Sequence, residues 1–193
     1  MLRRSAYQRS GRRGELRRSG DAADARSGGL IATRLRFSRD PGRPLTPGEE
    51  ELAAQAFGAS LDPARVRVHR ARWWPFQPKN VIMAPDGDIW VHPHDGLWRD
   101  DYALADWPLR ALFVHELTHV WQHQRGLLLP LRRHPFCSYA YEIVPGRPLE
   151  AYGIEQQGMI VQHGWWRLAR GEPLGTYAAL LPATRGGDEA TLG

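Results

Sequence analysis

The sequence predicts an α+β domain, and three observations carry that prediction. A capped helix opens the ordered part at "LTPGEEELAAQAFG", residues 45–58. Short β-prone segments punctuated by turn residues follow over 64–93, and two long runs with helical apolar spacing close the domain. At 193 residues with 42% hydrophobic side chains and 8 Trp, the chain suits one packed core plus tails.

The first helix has a strong start. Thr46 is the expected N-cap, Pro47 fills the first helical position, Glu49 completes a capping box, and Gly58 ends the run. "ARVRVHR" alternates Val66 and Val68 with arginines, which fits a half-buried strand. "WWPFQPKN" is broken by two prolines and reads as a loop carrying aromatic anchors. In "VIMAPDGDIWVHP" two β-prone arms flank Asp86-Gly87, a hairpin signal. "HDGLWRDDYALAD" reads as a surface loop, and no internal repeat is visible.

The central helix is expected from Asp106, with Pro108 in its first turn, to Gly126. Leu109, Leu112, Phe113, Leu117, Val120 and Trp121 recur at helical spacing, so it is deeply packed. "FCSYAYEIVPG" reads as a short strand, and a second long helix runs from about Pro148 to Ala169, ended by Gly171 and Pro173. The expected layout is a disordered basic arm at 1–29, the domain at 30–175 and a tail at 176–193.

Composition excludes several classes. No apolar run approaches the roughly 20 residues a membrane helix needs. The Arg-rich start lacks the apolar stretch of a classical signal peptide. A cytoplasmic location follows. The lone Cys137 excludes an internal disulfide and a Cys-rich zinc site, and reads as a packed thiol. The net charge of +5 resides in residues 1–29, where eight Arg face Glu15, Asp21 and Asp24; elsewhere the charges cancel. Lys79 is the only lysine, so arginine is favoured throughout the chain. The arm therefore reads as flexible and solvated, and nucleic acid is not the expected partner.

The chemistry lies in "LFVHELTHVWQHQRG". His115 and His119, four apart, project from one helix face and can share one Zn²⁺. Glu116 lies beside them, placed to take a proton from a water that zinc acidifies to a pKa of roughly 7. Two histidines and a glutamate on an apolar helix are costly to bury without such a partner. The extended pattern with Gly and His further along is excluded by Gln122 and Arg125. His123 lies about 12 Å along the helix from His115, too far to share the ion easily.

The third ligand is expected downstream. Glu155, between Tyr152 and Met159, is the first choice, and Glu150, nearer the helix start, is the second. Gln156 and Gln157 are candidate supporting donors or solvent-facing residues. "DIWVH" is the candidate edge against which a peptide could pair, or else an ordinary strand with His92 and His94 exposed. Tyr139, Tyr141, Tyr152 and His163 are candidates for stabilising a transition state, with nothing to choose among them. Trp73, Trp74, Trp98, Trp165 and Trp166 read as core or rim packing.

The order "FGASLDPARVRVH", hairpin, "LFVHELTHVWQHQ" resembles the metallopeptidase core domain of proteins associated with extracellular contractile injection systems, most closely the Vgr-related bacterial proteins. The resemblance covers residues 46–169. It implies a zincin-like fold, His115, Glu116 and His119 as metal and catalytic positions, and a link to phage-tail-like or type VI secretion machinery, including export by it. The leading expectation is a zinc metallopeptidase with His115, His119 and Glu155 as ligands, Glu116 as general base, and a peptide or protein substrate. Peptidoglycan peptides are a further substrate option. The rival is a non-catalytic interaction module docking onto such machinery, zinc-stabilised or metal-free.

Overall fold

Thr46 starts the first helix of the computed structural model, which describes residues 40–129 and 138–185. The expectations for the basic arm and for Cys137 fall outside the described residues. Helix α1 spans Pro47–Phe57 and is capped reciprocally. Thr46 Oγ1 accepts from the Glu49 amide at 3.1 Å, and Glu49 Oε2 accepts from the Thr46 amide at 2.9 Å. Glu49 does more than cap. It is fully buried, takes a bidentate pair from Arg43 at 2.7 Å on each oxygen, and accepts from the Tyr102 amide at 2.9 Å. A buried carboxylate is tolerated only when donors replace its water, and four do so here.

That hub corrects one reading. The segment 94–106 is not simply a surface loop: Tyr102, in the 3₁₀ turn Tyr102–Leu104, is fully buried and stacks on Phe113 at 4.5 Å. Its anchor is the backbone bond to Glu49, fifty-three positions away.

The sheet has three short strands, β1 (Val68–His69), β2 (Ile82–Met83) and β3 (Ile89–Val91), in the order β1-β3-β2. β2 and β3 pair antiparallel around Asp86-Gly87, with Gly87 at φ 87°, so the hairpin forms where the turn chemistry places it. β1 runs parallel to β3. It begins later than the Val66–Val68 alternation suggests, because the Val66 amide is used by Pro63 in a 3₁₀ turn capped by Asp62. Arg43 pairs through its backbone with Val68 on the outer side of β1. β3 is thus the central strand, and among the described residues β2 pairs on one side alone. "DIWVH" is an ordinary inner strand, not a peptide-binding edge.

Helix α2 spans Trp107–Gln124, N-capped by Asp106 through the Leu109 amide at 3.1 Å. Of its apolar stripe, Leu109, Phe113, Leu117, Val120 and Trp121 lie in the core, while Leu112 is half-buried against it. Residues 138–148 form no strand. Side chains hold them instead, with Tyr141 bonded to His163 and the Val144 amide donating to the Tyr152 hydroxyl at 3.0 Å. The last long helix, α3, begins at Ile154 rather than Pro148 and ends at Ala169. A 3₁₀ turn, Leu149–Ala151, and an extended Tyr152 precede it, and the Gln156 side chain takes the Gly153 amide at 3.0 Å. Glu155 therefore lies in the first turn of α3, not in mid-helix.

The core also draws on part of the expected tail. Leu180 and Leu181 are buried, and Leu181 lies against Gly164 of α3, just before the short helix α4, Pro182–Arg185. Among the described residues the fold is α+β, with four α-helices and the three-stranded sheet. None of these helices is long and apolar enough to cross a membrane.

The Glu49 hub yields a stability test. Glu49→Ala leaves Arg43 and the Tyr102 amide without their acceptor, and is expected to cost about 3–5 kcal/mol in chemical denaturation. A loss under about 1 kcal/mol would mean that Arg43, Thr46 and Tyr102 find other partners.

Candidate metal centre

α2 and α3 pack side by side, and their contact brings three side chains together. His115 and His119 project from α2, one turn apart, with ring centroids 5.0 Å from each other. Glu155 reaches them from α3: its Oε2 lies 3.3 Å from His115 Nε2 and 3.4 Å from His119 Nε2. His115, His119 and Glu155 are 4%, 2% and 1% exposed, so water screens none of them effectively. Their ligand atoms all fall within 4.8 Å of one another.

These separations are long for charge-assisted hydrogen bonds, which favour about 2.7–2.9 Å. They match another geometry. Two donors each about 2.0–2.2 Å from one tetrahedral zinc stand roughly 3.3–3.5 Å apart. His119 Nε2 makes no hydrogen bond despite being buried. Glu116, which follows His115 on α2, is also buried, at 3% exposed. On donor type, spacing and burial, the set fits Zn²⁺.

The two histidines are held in different ways. The His115 ring lies flat on α3 at Gly158, where a Cβ would stand 2.6 Å from His115 Cε1 and 2.8 Å from Nε2. No other residue leaves room for the ring. His119 is held by a hydrogen bond, its Nδ1 lying 2.9 Å from Gln122 Oε1. Neither Gly158 nor Gln122 stands out in the sequence as a site residue. An i+3 polar residue on the ligand helix, and a glycine in mid-helix, are the signals that could have pointed to them.

The other candidates separate clearly. Glu150 sits in the turn before α3, 39% exposed and 3.9 Å from Arg125, outside the cluster. His123 packs on the hairpin turn, with the Cβ position of Gly87 2.5 Å from its Nδ1. His92 is buried and accepts from Arg72 Nε at 2.9 Å, while His94 is exposed. Burial, and then the Arg72 charge, hold His92 below the usual histidine pKa. Gln157 is buried behind His119, whereas Gln156 caps the helix and bonds Ala140.

Of the aromatic candidates, Tyr139 is half-exposed with its ring 6.4 Å from that of His115. The Tyr141 hydroxyl is 2.6 Å from His163 Nδ1 and 2.9 Å from the Tyr177 hydroxyl. Burial, and then the nearby His115 imidazole, lower the His163 pKa. Tyr152 serves the loop at Val144. Trp98 packs under Arg43 and Arg70, and Trp165 donates to Gln55, so both are structural. Trp73 instead lines a cavity of about 200 Å³ beside His119 and Glu155, whose other walls include Met83, Pro85, Leu129 and Ile154.

No protein-family profile matches the chain. The type VI secretion system spike protein VgrG2b of Pseudomonas aeruginosa is 39% identical over 64% of this chain, a span that is 13% of that protein. The solved effector domain of Pseudomonas aeruginosa VgrG2b is similar in fold, with a TM-score of 0.61 and 32% identity. That match covers 78% of this chain and 84% of the solved domain. The chain belongs to the family of the VgrG2b effector domain.

Proposed function

We propose that this domain is a zinc-dependent peptidase of zincin-like design that works with type VI secretion machinery. His115, His119 and Glu155 hold the ion, and Glu116 is the general base. The observation that carries this reading is the pair of separations from Glu155 to the two imidazoles, 3.3 and 3.4 Å, in a buried pocket. Two imidazoles and one carboxylate are a ligand set that leaves one position open. Zinc, when bound there, supplies Lewis acidity and a water acidified to a pKa of about 7.

The residues of the chain do the rest. Glu116 lies three positions before His119 and so shares its side of α2. A carboxylate at that place takes the proton of the attacking water and returns it to the departing amine. Tyr139, over His115 and half-exposed, is the phenol best placed to meet a developing oxyanion. An extended peptide can add to the side of β2 away from β3. The cavity beside His119 is walled by Trp73, Met83, Pro85, Leu129 and Ile154 and takes an apolar side chain of that peptide. Its volume of about 200 Å³ exceeds the roughly 150 Å³ in which an apolar cavity binds benzene.

VgrG2b is a type VI secretion system spike protein, and this family tie supports secretion-system components as partners and export by that route. The chain spans only 13% of VgrG2b, so the partnership is proposed for the effector part alone.

Metal analysis of the full chain after zinc loading is expected to return about one zinc per chain; less than about 0.2 contradicts the reading. Glu116→Gln keeps the zinc and lowers the rate of peptide cleavage about 10²-fold or more. A non-catalytic module would keep its function in that variant. Gly158→Ala suits helix α3 by backbone propensity, yet forces the His115 ring off its seat. It is expected to weaken zinc binding at least about tenfold in a competition titration while the far-ultraviolet circular dichroism is unchanged. Unchanged affinity would show that His115 does not need that seat.

A further inference from the structure

The geometry points to Gln122 as a positioning residue that sets the tautomer of His119 and ties it to the turn carrying Glu155. This inference rests on the zinc reading for its consequence, but not for its chemistry.

Two backbone carbonyls, those of Tyr152 and Ile154, can only accept, and they fix the orientation of both amides. Gln157 Nε2 donates to the Tyr152 carbonyl at 2.8 Å, so the Gln157 amide has one orientation and turns its Oε1 the other way. That oxygen lies 2.9 Å from Gln122 Nε2. The Ile154 carbonyl lies 3.0 Å from the same nitrogen. Two acceptors therefore face one end of the Gln122 side chain, and only its NH₂, with two N–H groups, satisfies both. Reversing the amide would set oxygen against two oxygens.

Gln122 Oε1 is then left facing His119 Nδ1 at 2.9 Å. An oxygen there accepts only if Nδ1 carries the proton. In its neutral form the imidazole has one N–H, which this places on Nδ1, so that Nε2 keeps its lone pair on the side where Glu155 Oε2 lies at 3.4 Å. His119 is thus presented as a ligand before any ion arrives. Gln122 is fully buried and Gln157 is 4% exposed, so water does not compete for these bonds.

The relay has a second effect. Ile154 directly precedes Glu155, so the bond from Gln122 to its carbonyl holds the first turn of α3 against α2. One amide therefore orients a histidine on one helix and steadies the carboxylate on the other. A neutral partner also suits this place. With Glu116 and Glu155 already buried nearby, a carboxylate behind His119 would add a third negative charge to the cluster.

The test uses the full chain, zinc-free and zinc-loaded. Long-range ¹H–¹⁵N correlation of zinc-free protein, at a pH high enough to keep the imidazoles neutral, is expected to show the single His119 ring proton on Nδ1. Gln122→Met, of similar volume without the amide, is expected to lose that single-tautomer signature and weaken zinc binding about 10–100-fold. Gln157→Met leaves the Ile154 carbonyl to orient Gln122, and is expected to keep the tautomer and to change zinc affinity less than about threefold. A merely structural role would instead make both affinities follow the loss of thermal stability. His119 protonated at Nε2 in the wild type, or Gln122→Met binding zinc as tightly as wild type, would overturn the proposal. If Gln122→Met does not fold, the wild-type tautomer decides. If the wild type binds no zinc, the zinc reading fails while the tautomer still tests the relay.

Discussion

The candidate site depends on how closely α2 and α3 approach at Gly158. A methyl group there would stand 2.6 Å from the His115 ring, so the two helices can meet around an imidazole only because one position lacks a side chain. Close packing leaves no slack for that group to be absorbed elsewhere. From this one contact follow the place of His115, the reach of Glu155 to both histidines, and the burial of the cluster. A glycine inside a helix costs roughly 0.5–1 kcal/mol against alanine, and here the backbone is weakened where the packing needs room.

Around that contact the domain supplies rigidity by different means. Gln122 and Gln157 lock the near ends of the two helices through backbone carbonyls. Glu49 gathers α1, the Arg43 segment and the turn at Tyr102 onto one buried carboxylate. Tyr102 in turn stacks on Phe113, two positions before His115 on α2. The hairpin turn packs at Gly87 against His123, at the far end of the same helix. The helix that presents the two histidines is therefore fixed near its middle and toward its end by elements distant in sequence. Catalytic and metal sites need such support, because a ligand displaced by about an ångström no longer meets its ion.

Local patterns were legible in the sequence, and long-range pairings were not. The Thr46 cap, the Asp86-Gly87 turn and the Asp106 start of α2 are each set by neighbours within a few residues, and each forms as read. The common face of His115 and His119 follows from helical spacing alone. Glu155 could be nominated but not located, since the turn at Tyr152 and Gly153 shifts the helix start by six positions. Strand order depends on contacts tens of residues apart, so "DIWVH" gives no sign that it is flanked on both sides. Gln122 is instructive in another way. In the sequence it marks the absence of a longer zinc motif, whereas in space its amide is the group that faces His119.

A single zinc site formed by two histidines of α2 and one glutamate of α3 is the proposal on which the others rest. Anomalous diffraction at the zinc absorption edge, on crystals of the zinc-loaded full chain, decides it. One strong peak is expected about 2.0–2.2 Å from His115 Nε2, His119 Nε2 and a Glu155 oxygen. A peak elsewhere, at His92 and His94 for example, or no peak between α2 and α3, would contradict it.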